Sequence, residues 1–168
     1  MKSGFRAVGM LALMALGAWS EEWHPLDRHL AQLRPDAVAA LPDMAWPAGT
    51  LLCPLTMYQS QLPSSEPLAE SVNAFLAQKQ FVGDESHWSL IVVKPAPAGN
   101  DSIEQMTFKR NGFDVINEPS MLKLDAVTVP KGFALKTCVP VERARVLVTR
   151  LQRTDRTLII FWNGLTRY

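Results

Sequence analysis

The sequence contains few of the residues that build metal sites or catalytic centres. Its 168 residues include two cysteines and three histidines, which are too widely spaced for the short ligand intervals of a zinc site. G-x-S-x-G, H-E-x-x-H, Walker and G-x-G-x-x-G motifs are also missing. The sequence therefore lacks the commonest signatures of hydrolases, metalloproteases and nucleotide-binding proteins. We therefore expect no cofactor, no metal ion and no enzymatic activity.

Two alternatives to this expectation stay open. The fold could bring His24, His29 and His87 together as a metal site. A small envelope hydrolase could also use an acid pair that has no sequence signature. Ser86 and His87 are poor candidates for a nucleophile and its base, because adjacent residues of a strand point to opposite faces. The scattered carboxylates are Glu66, Glu70, Asp84, Glu85, Glu104, Asp114 and Glu118.

Strong net charge is also absent. Seventeen basic and sixteen acidic residues leave a formal charge of +1, so we expect no nucleic-acid partner. Arginines nevertheless crowd the C-terminal stretch, where they form either a local basic surface or a solvated helix face. These arginines are Arg143, Arg145, Arg150, Arg153, Arg156 and Arg167.

The longest uncharged apolar stretch lies at the start of the chain. Lys2 and Arg6 precede it, and the small residues Ala18 and Ser20 follow it. A basic segment, a short apolar segment and small residues at a cleavage site are typical of a secretory signal peptide, and this one is too short to span a membrane. The prediction is a signal peptide over residues 1–20, a single domain over residues 21–168, and a periplasmic or secreted location.

The predicted location outside the cytoplasm determines how the two cysteines are interpreted. In an oxidising compartment, two cysteines in a small domain predict one intramolecular disulfide bond, between Cys53 and Cys138. The bond would close a loop of about 85 residues, which the chain-entropy model values on the order of 4–5 kcal/mol. Pro54 and Pro140 follow the two cysteines closely and are interpreted as ends of their strands.

Helical spacing is clearest in two segments. Leucines at i, i+4 and i+7 predict a helix that begins at Pro25, and the apolar spacing over residues 68–76 predicts a second one. Residues 36–40 are expected to add a helical turn capped by Asp36. Residues 141–153 can be a helix or a strand, and their i, i+3, i+4, i+7 pattern favours a helix.

The remaining apolar runs predict strands. One run contains Cys53, the run at 88–93 is apolar on both faces, and the run at 158–162 is a candidate for the centre of a sheet. Asn111-Gly112 predicts a type I′ hairpin that pairs Lys109 with Asp114, and residues 121–139 predict another hairpin. The expected fold is a single small α+β domain with a mostly antiparallel sheet of about six strands and two or three helices.

A small exported domain with a disulfide bond and no catalytic motif is typical of proteins that bind other proteins. We expect a periplasmic inhibitor, most concretely an immunity protein that occludes a toxin or hydrolase effector, with an accessory subunit of an envelope assembly as an alternative. The protein itself would be a monomer or a small homo-oligomer. Exposed aromatic residues and arginines are the usual anchors of such interfaces. The candidate interface residues are Met57, Tyr58, Arg143, Arg150 and Arg153.

Overall fold

A computed structural model of the protein describes residues 23–96, 101–117, 133, 135–150 and 156–164. These residues form a small α+β domain with one disulfide bond, as the sequence predicts. The described strands number eight rather than about six, and they form two sheets of four. The helices are α1 (Pro25–Gln32) and α2 (Ala69–Gln78). The strands are β1 (Ala37–Ala40), β2 (Leu51–Leu55), β3 (His87–Lys94), β4 (Ser102–Lys109), β5 (Phe113–Ile116), β6 (Val139–Pro140), β7 (Ala144–Arg150) and β8 (Thr157–Asn163).

The two sheets differ in strand direction. One has the order β4-β3-β2-β6 and is antiparallel throughout, whereas the other has the order β1-β7-β8-β5 and contains a parallel pair, β5 with β8. β8 lies inside its sheet, as its apolar run predicts. The main core cluster contains residues from both sheets, including Trp88 on β3 and Phe161 on β8, together with Leu26 and Leu30 of α1. The two sheets therefore pack against each other.

Additional layers explain why β3 and β8 are apolar on both faces. Val72 and Leu76 of α2 pack with Cys53 and Ile91 on the second face of the β2–β3 sheet. On the second face of the other sheet, Trp162 and its neighbours pack against Phe133 and Leu135. A strand with side chains buried on both sides needs a near-continuous hydrophobic run. α1 and α2 occupy the two segments that the leucine and apolar spacing predicted.

Two helical predictions are wrong. Residues 144–150 form strand β7, preceded by a 3₁₀ turn at Val141–Arg143, and residues 37–40 form strand β1. β7 lies between β1 and β8 and is buried along most of its length. Its β-branched residues Val146, Val148 and Thr149 suit a doubly covered strand, because their stiff side chains pack well on a pleated surface.

The hairpin predicted at Asn111-Gly112 is also wrong. Lys109 lies opposite His87 rather than Asp114, since β4 pairs with β3 and β5 pairs with β8 in the other sheet. The segment between β4 and β5 is therefore a crossing between sheets. The chain bends at Asn111 and Gly112, but pairing within the two sheets decided the partners. Most of the second predicted hairpin, and the whole predicted signal peptide, lie outside the described residues.

The register of β2 and β6 explains the disulfide bond. Leu51 lies opposite Pro140 and Leu52 opposite Val139, so the same register extended by one position places Cys138 opposite Cys53. The Val141 amide donates to the Thr50 carbonyl at 2.9 Å, which makes the Cys53–Cys138 position a non-hydrogen-bonded pair. Such pairs bring Cα atoms close together, and here they are 4.2 Å apart. The predicted disulfide bond is confirmed. Among the described residues, neither helix has the length or the apolar character to cross a membrane.

Candidate functional site

Two large apolar side chains stand out on neighbouring loops. Tyr58 is 64% exposed and Val82 is 75% exposed. Tyr58 lies in the loop that follows β2, and Val82 lies between α2 and β3. Tyr58 was a predicted interface residue, whereas Val82 was not. We call the exposed area formed by Tyr58, Val82, Glu85 and Arg110 the Tyr58 surface.

The two loops pack directly against each other at Gly83. A Cβ atom at Gly83 would lie 2.6 Å from the Gln59 carbonyl oxygen and 2.8 Å from the Tyr58 carbonyl carbon, so only glycine permits this approach. The Gly83 amide donates to Ser60 Oγ at 2.9 Å. The Tyr58 amide donates to the Asp84 carbonyl at 3.1 Å. The two loops therefore hold each other in place.

Buried polar groups hold the Tyr58 loop in place from the protein interior. Gln59 Oε1 accepts hydrogen bonds from the Thr56 amide at 3.1 Å and from Asn117 Nδ2 at 2.8 Å. Asn117 is fully buried at the end of β5 and also donates to the Pro54 carbonyl. Tyr58 itself has a left-handed backbone with φ of 63°, a conformation that costs free energy unless the surroundings impose it. The loop is thus pre-organised by contacts from both sheets.

Charged groups surround the Tyr58 ring. The Tyr58 hydroxyl donates to Glu85 Oε2 at 2.9 Å, and this hydrogen bond is the main reason why the pKa of Tyr58 lies above its ordinary value. Arg110 Nη1 donates to the Glu85 carbonyl at 2.9 Å. An aromatic ring flanked by an acid and an arginine presents apolar area together with both signs of charge.

Asp114 anchors this region to the sheet that contains β5. It accepts two hydrogen bonds from Arg156, at 2.7 and 2.9 Å, and two from Arg110, one of them at 3.2 Å. Burial acts to raise the pKa of Asp114, but the hydrogen bonds from both arginines outweigh burial and hold the pKa below its usual value. Arg110 is therefore fixed in place by Asp114 on β5 while it also contacts Glu85.

An Asp–His pair borders the same region. His87 Nδ1 lies 2.9 Å from both carboxylate oxygens of Asp84, and the Ser86 amide donates to Asp84 Oδ1 at 2.6 Å. The His87 hydrogen bond is the main reason why the pKa of Asp84 is lowered. A depression of about 480 Å³ is lined by Ser86, His87, Lys109 and Arg110, among others. Ser86 contacts Asp84 through its backbone amide.

The other predicted interface residues are spread over the molecule. Met57 is partly buried beside Tyr58. Arg143 and Arg150 are both exposed but lie at opposite ends of β7, about 23 Å apart at the usual rise of a strand. Arg150 lies opposite Thr157, next to Arg156, and so near the Asp114 end. Arg153 lies outside the described residues.

The sequence analysis did not single out Val82 or Arg110, and it named Glu85 and Asp114 as candidate site residues only among the scattered carboxylates of a possible acid pair. No local pattern links Arg110 to Glu85 or Asp114 to Arg156, since the first contact requires β3 to pair with β4 and the second requires β5 to pair with β8. The metal alternative gains no support. His24, His29 and His87 have separate partners, and no group of metal-ligand side chains occurs among the described residues.

Comparisons with known proteins give no relative from which a role could be transferred. No protein-family model, no curated protein and no solved structure matches the chain.

Proposed function

We propose that this is a periplasmic protein-binding or inhibitor protein of the immunity type, and that the Tyr58 surface contacts its partner. One observation carries the proposal: the most exposed aromatic ring of the described residues belongs to a residue with a left-handed backbone, in a loop that makes hydrogen bonds with two other segments, the Gly83–Asp84 loop and Asn117. Loops used for recognition lose little entropy on binding when their bound conformation already exists.

The composition of the Tyr58 surface suits a protein partner. Tyrosine and arginine are enriched among the residues that contribute most to binding energy. Tyr58 offers a large ring with a polar tip, Val82 adds an apolar contact, and Arg110 is fixed by Asp114 rather than free to move. A protruding surface of this kind can occlude the cleft of an enzyme. The predicted contribution of Arg143 is dropped, because it lies at the far end of β7.

A second candidate is hydrolysis, which the Asp84–His87 hydrogen bond favours. An acid that orients an imidazole through Nδ1 leaves Nε2 to act as a general base. The reaction would have to use water as nucleophile, since among the described residues no hydrogen bond joins the Ser86 hydroxyl to His87. This hypothesis predicts that His87→Ala abolishes turnover of a cell-wall or lipid substrate.

The experiment is a pull-down of the mature protein from its own cells, followed by titration of whatever protein co-purifies stoichiometrically. Tyr58→Ala should weaken binding of that protein at least thirtyfold, the scale of an interface hot spot. Val38→Ala is the matched control, because Val38 is also an exposed apolar residue but lies on β1. Its affinity should stay within twofold of the wild type.

Two results would contradict the proposal. One is a partner that binds Tyr58→Ala as tightly as the wild-type protein. The other is a protein without a partner that turns over an envelope substrate and loses that turnover in His87→Ala. A co-purifying protein that is itself a toxic enzyme, inhibited in the complex, would support the immunity role.

A further inference from the structure

A buried acid without a hydrogen-bond partner lies in helix α1, away from the Tyr58 loops. Asp27 is 8% exposed, and its Oδ1 makes no hydrogen bond to any residue that the structure describes. Burial raises the pKa of Asp27, and the neighbouring His24 partly offsets that effect. Buried carboxylates normally have donors, because the charged form is poorly solvated otherwise. An unpartnered one points to a missing donor.

Asp27 borders a recess that could hold such a donor. The recess has a volume of about 390 Å³ and is lined by Trp23, Asp27, Met106 and Phe108, among others. Trp23 is 43% exposed, so part of its side chain is accessible, while Phe108 is stacked on Trp88 with ring centroids 4.5 Å apart. Aromatic walls around one carboxylate favour a flat or compact organic cation.

The recess also runs along the outer edge of β4. The Arg110 amide donates to the Ser86 carbonyl at 2.7 Å, and this bond fixes which residues of β4 face β3. Counting back along the β3–β4 register, the backbones of Gln105 and Thr107 face outward. Among the described residues, no strand pairs with that edge. An extended chain could therefore add to β4 by backbone hydrogen bonds.

Other charged groups line the recess together with Asp27. Lys109 and His87 lie opposite each other in the β3–β4 register. Alternation along β4 places the Lys109 side chain on the other face from Phe108. His24 Nδ1 already accepts the Leu26 amide hydrogen at 3.3 Å.

We propose that this recess binds the guanidinium or ammonium group of a basic side chain, presented by an extended segment that pairs with the outer edge of β4. The cation would stack against Trp23 and donate to the Asp27 carboxylate. The backbone of the segment would hydrogen-bond to Gln105 and Thr107. This second site is independent of the Tyr58 surface.

The test is a nuclear magnetic resonance titration of the full mature protein with three probes. The first is a five-residue peptide of alternating valine and threonine around a central arginine. The second is the same peptide with uncharged citrulline in place of arginine, and the third is arginine amide. We expect saturable shifts of the Trp23 indole N–H, with the arginine peptide binding at least tenfold more tightly than either other probe.

Variants test the contact with Asp27 and the pairing with β4 separately. Asp27→Asn should weaken binding of the arginine peptide at least tenfold, whereas Glu70→Gln, an acid in the first turn of α2, should leave it unchanged. Thr107→Pro removes an outward N–H, which an edge strand tolerates. It should lower the affinity of the arginine peptide to that of arginine amide.

Three results would overturn the inference: no saturable shift, equal binding of the citrulline peptide, or unchanged binding by Asp27→Asn. If arginine amide binds as tightly as the arginine peptide, the recess accepts a free cation and pairing with β4 is refuted. Tyr58→Ala should bind all three probes like the wild type, so failure here is distinguishable from failure of the proposed function.

Discussion

Asp27 and Asp114 are almost equally buried, at 8% and 7% exposure, but their surroundings are opposite. Asp114 receives hydrogen bonds from two arginines and has a lowered pKa. Asp27 has one oxygen that accepts no hydrogen bond from any described residue, and its pKa is raised. Burial alone therefore does not tell whether an acid supports the fold. The hydrogen-bond partners of the acid determine this. They distinguish Asp114, which supports the fold, from Asp27, which borders an open recess.

The disulfide bond provides the reference for this comparison, because it contacts neither carboxylate. Replacing both Cys53 and Cys138 by alanine should lower the free energy of unfolding by about 4 kcal/mol, since the unfolded chain regains the entropy of a long loop. The melting temperature should fall by about 10 °C. Urea and thermal unfolding measure both quantities, and reduced wild-type protein is the control. A loss below about 1 kcal/mol would contradict the prediction.

Removal of the Asp114 charge should have the next largest effect. Asp114→Asn removes the negative charge that two arginines share and replaces one acceptor oxygen by an NH₂ donor, and breaking a buried ion pair costs about 3–5 kcal/mol. Because both arginines are partly exposed, we expect a loss of about 2–3 kcal/mol in urea unfolding. Glu104→Gln is the control, since its ion pair with Lys94 is exposed and should contribute less than about 1 kcal/mol. Equal losses in the two variants would refute the contrast.

The pH dependence of stability should have opposite signs at the two acids. The folded-state pKa of Asp114 is lowered, so its contribution is complete above its unfolded pKa of about 3.9 and is lost as the pH falls through the folded value. The folded-state pKa of Asp27 is raised, so its penalty is present at neutral pH and disappears as the pH falls towards about 4.

Urea unfolding between pH 2.5 and pH 7 would measure this, with wild type compared to each asparagine variant. The advantage of the wild type over Asp114→Asn should shrink at low pH. Relative to Asp27→Asn, the wild type should gain stability as the pH is lowered. If the free energy of unfolding depends on pH in the same way in both variants, the environments of Asp27 and Asp114 do not differ.

The smallest effect is expected for Asp27→Asn at neutral pH. Removing an unpartnered buried charge should leave stability unchanged or raise it by up to about 1 kcal/mol, even though the acid near the start of α1 loses a favourable dipole interaction of a few tenths. Glu70→Gln in α2 isolates that dipole contribution. A loss above about 1 kcal/mol in Asp27→Asn would mean that Asp27 has a partner and supports the fold.

Local sequence patterns predicted part of this structure for identifiable reasons. Leu26 and Leu30 repeat with the helical period, and the run around Ile91 is apolar without interruption, so α1 and β3 could be recognised. Residues 144–150 could not be assigned correctly, because Val146 and Val148 fit a helix face in isolation. Tyr58 was recognised as a candidate, whereas Arg110 and Val82 acquire meaning only from what they contact.

The sequence by itself determined the α+β class, the disulfide pairing and the segments that must be buried, because these follow from apolar periodicity and from there being two cysteines. Only the tertiary structure decided which strands pair, why Gly83 must be glycine and which acid finds a partner. Those features depend on contacts between residues far apart in the chain. Asp27 and Asp114 are the same residue type. Packing alone placed two arginines beside Asp114 and an open recess beside Asp27.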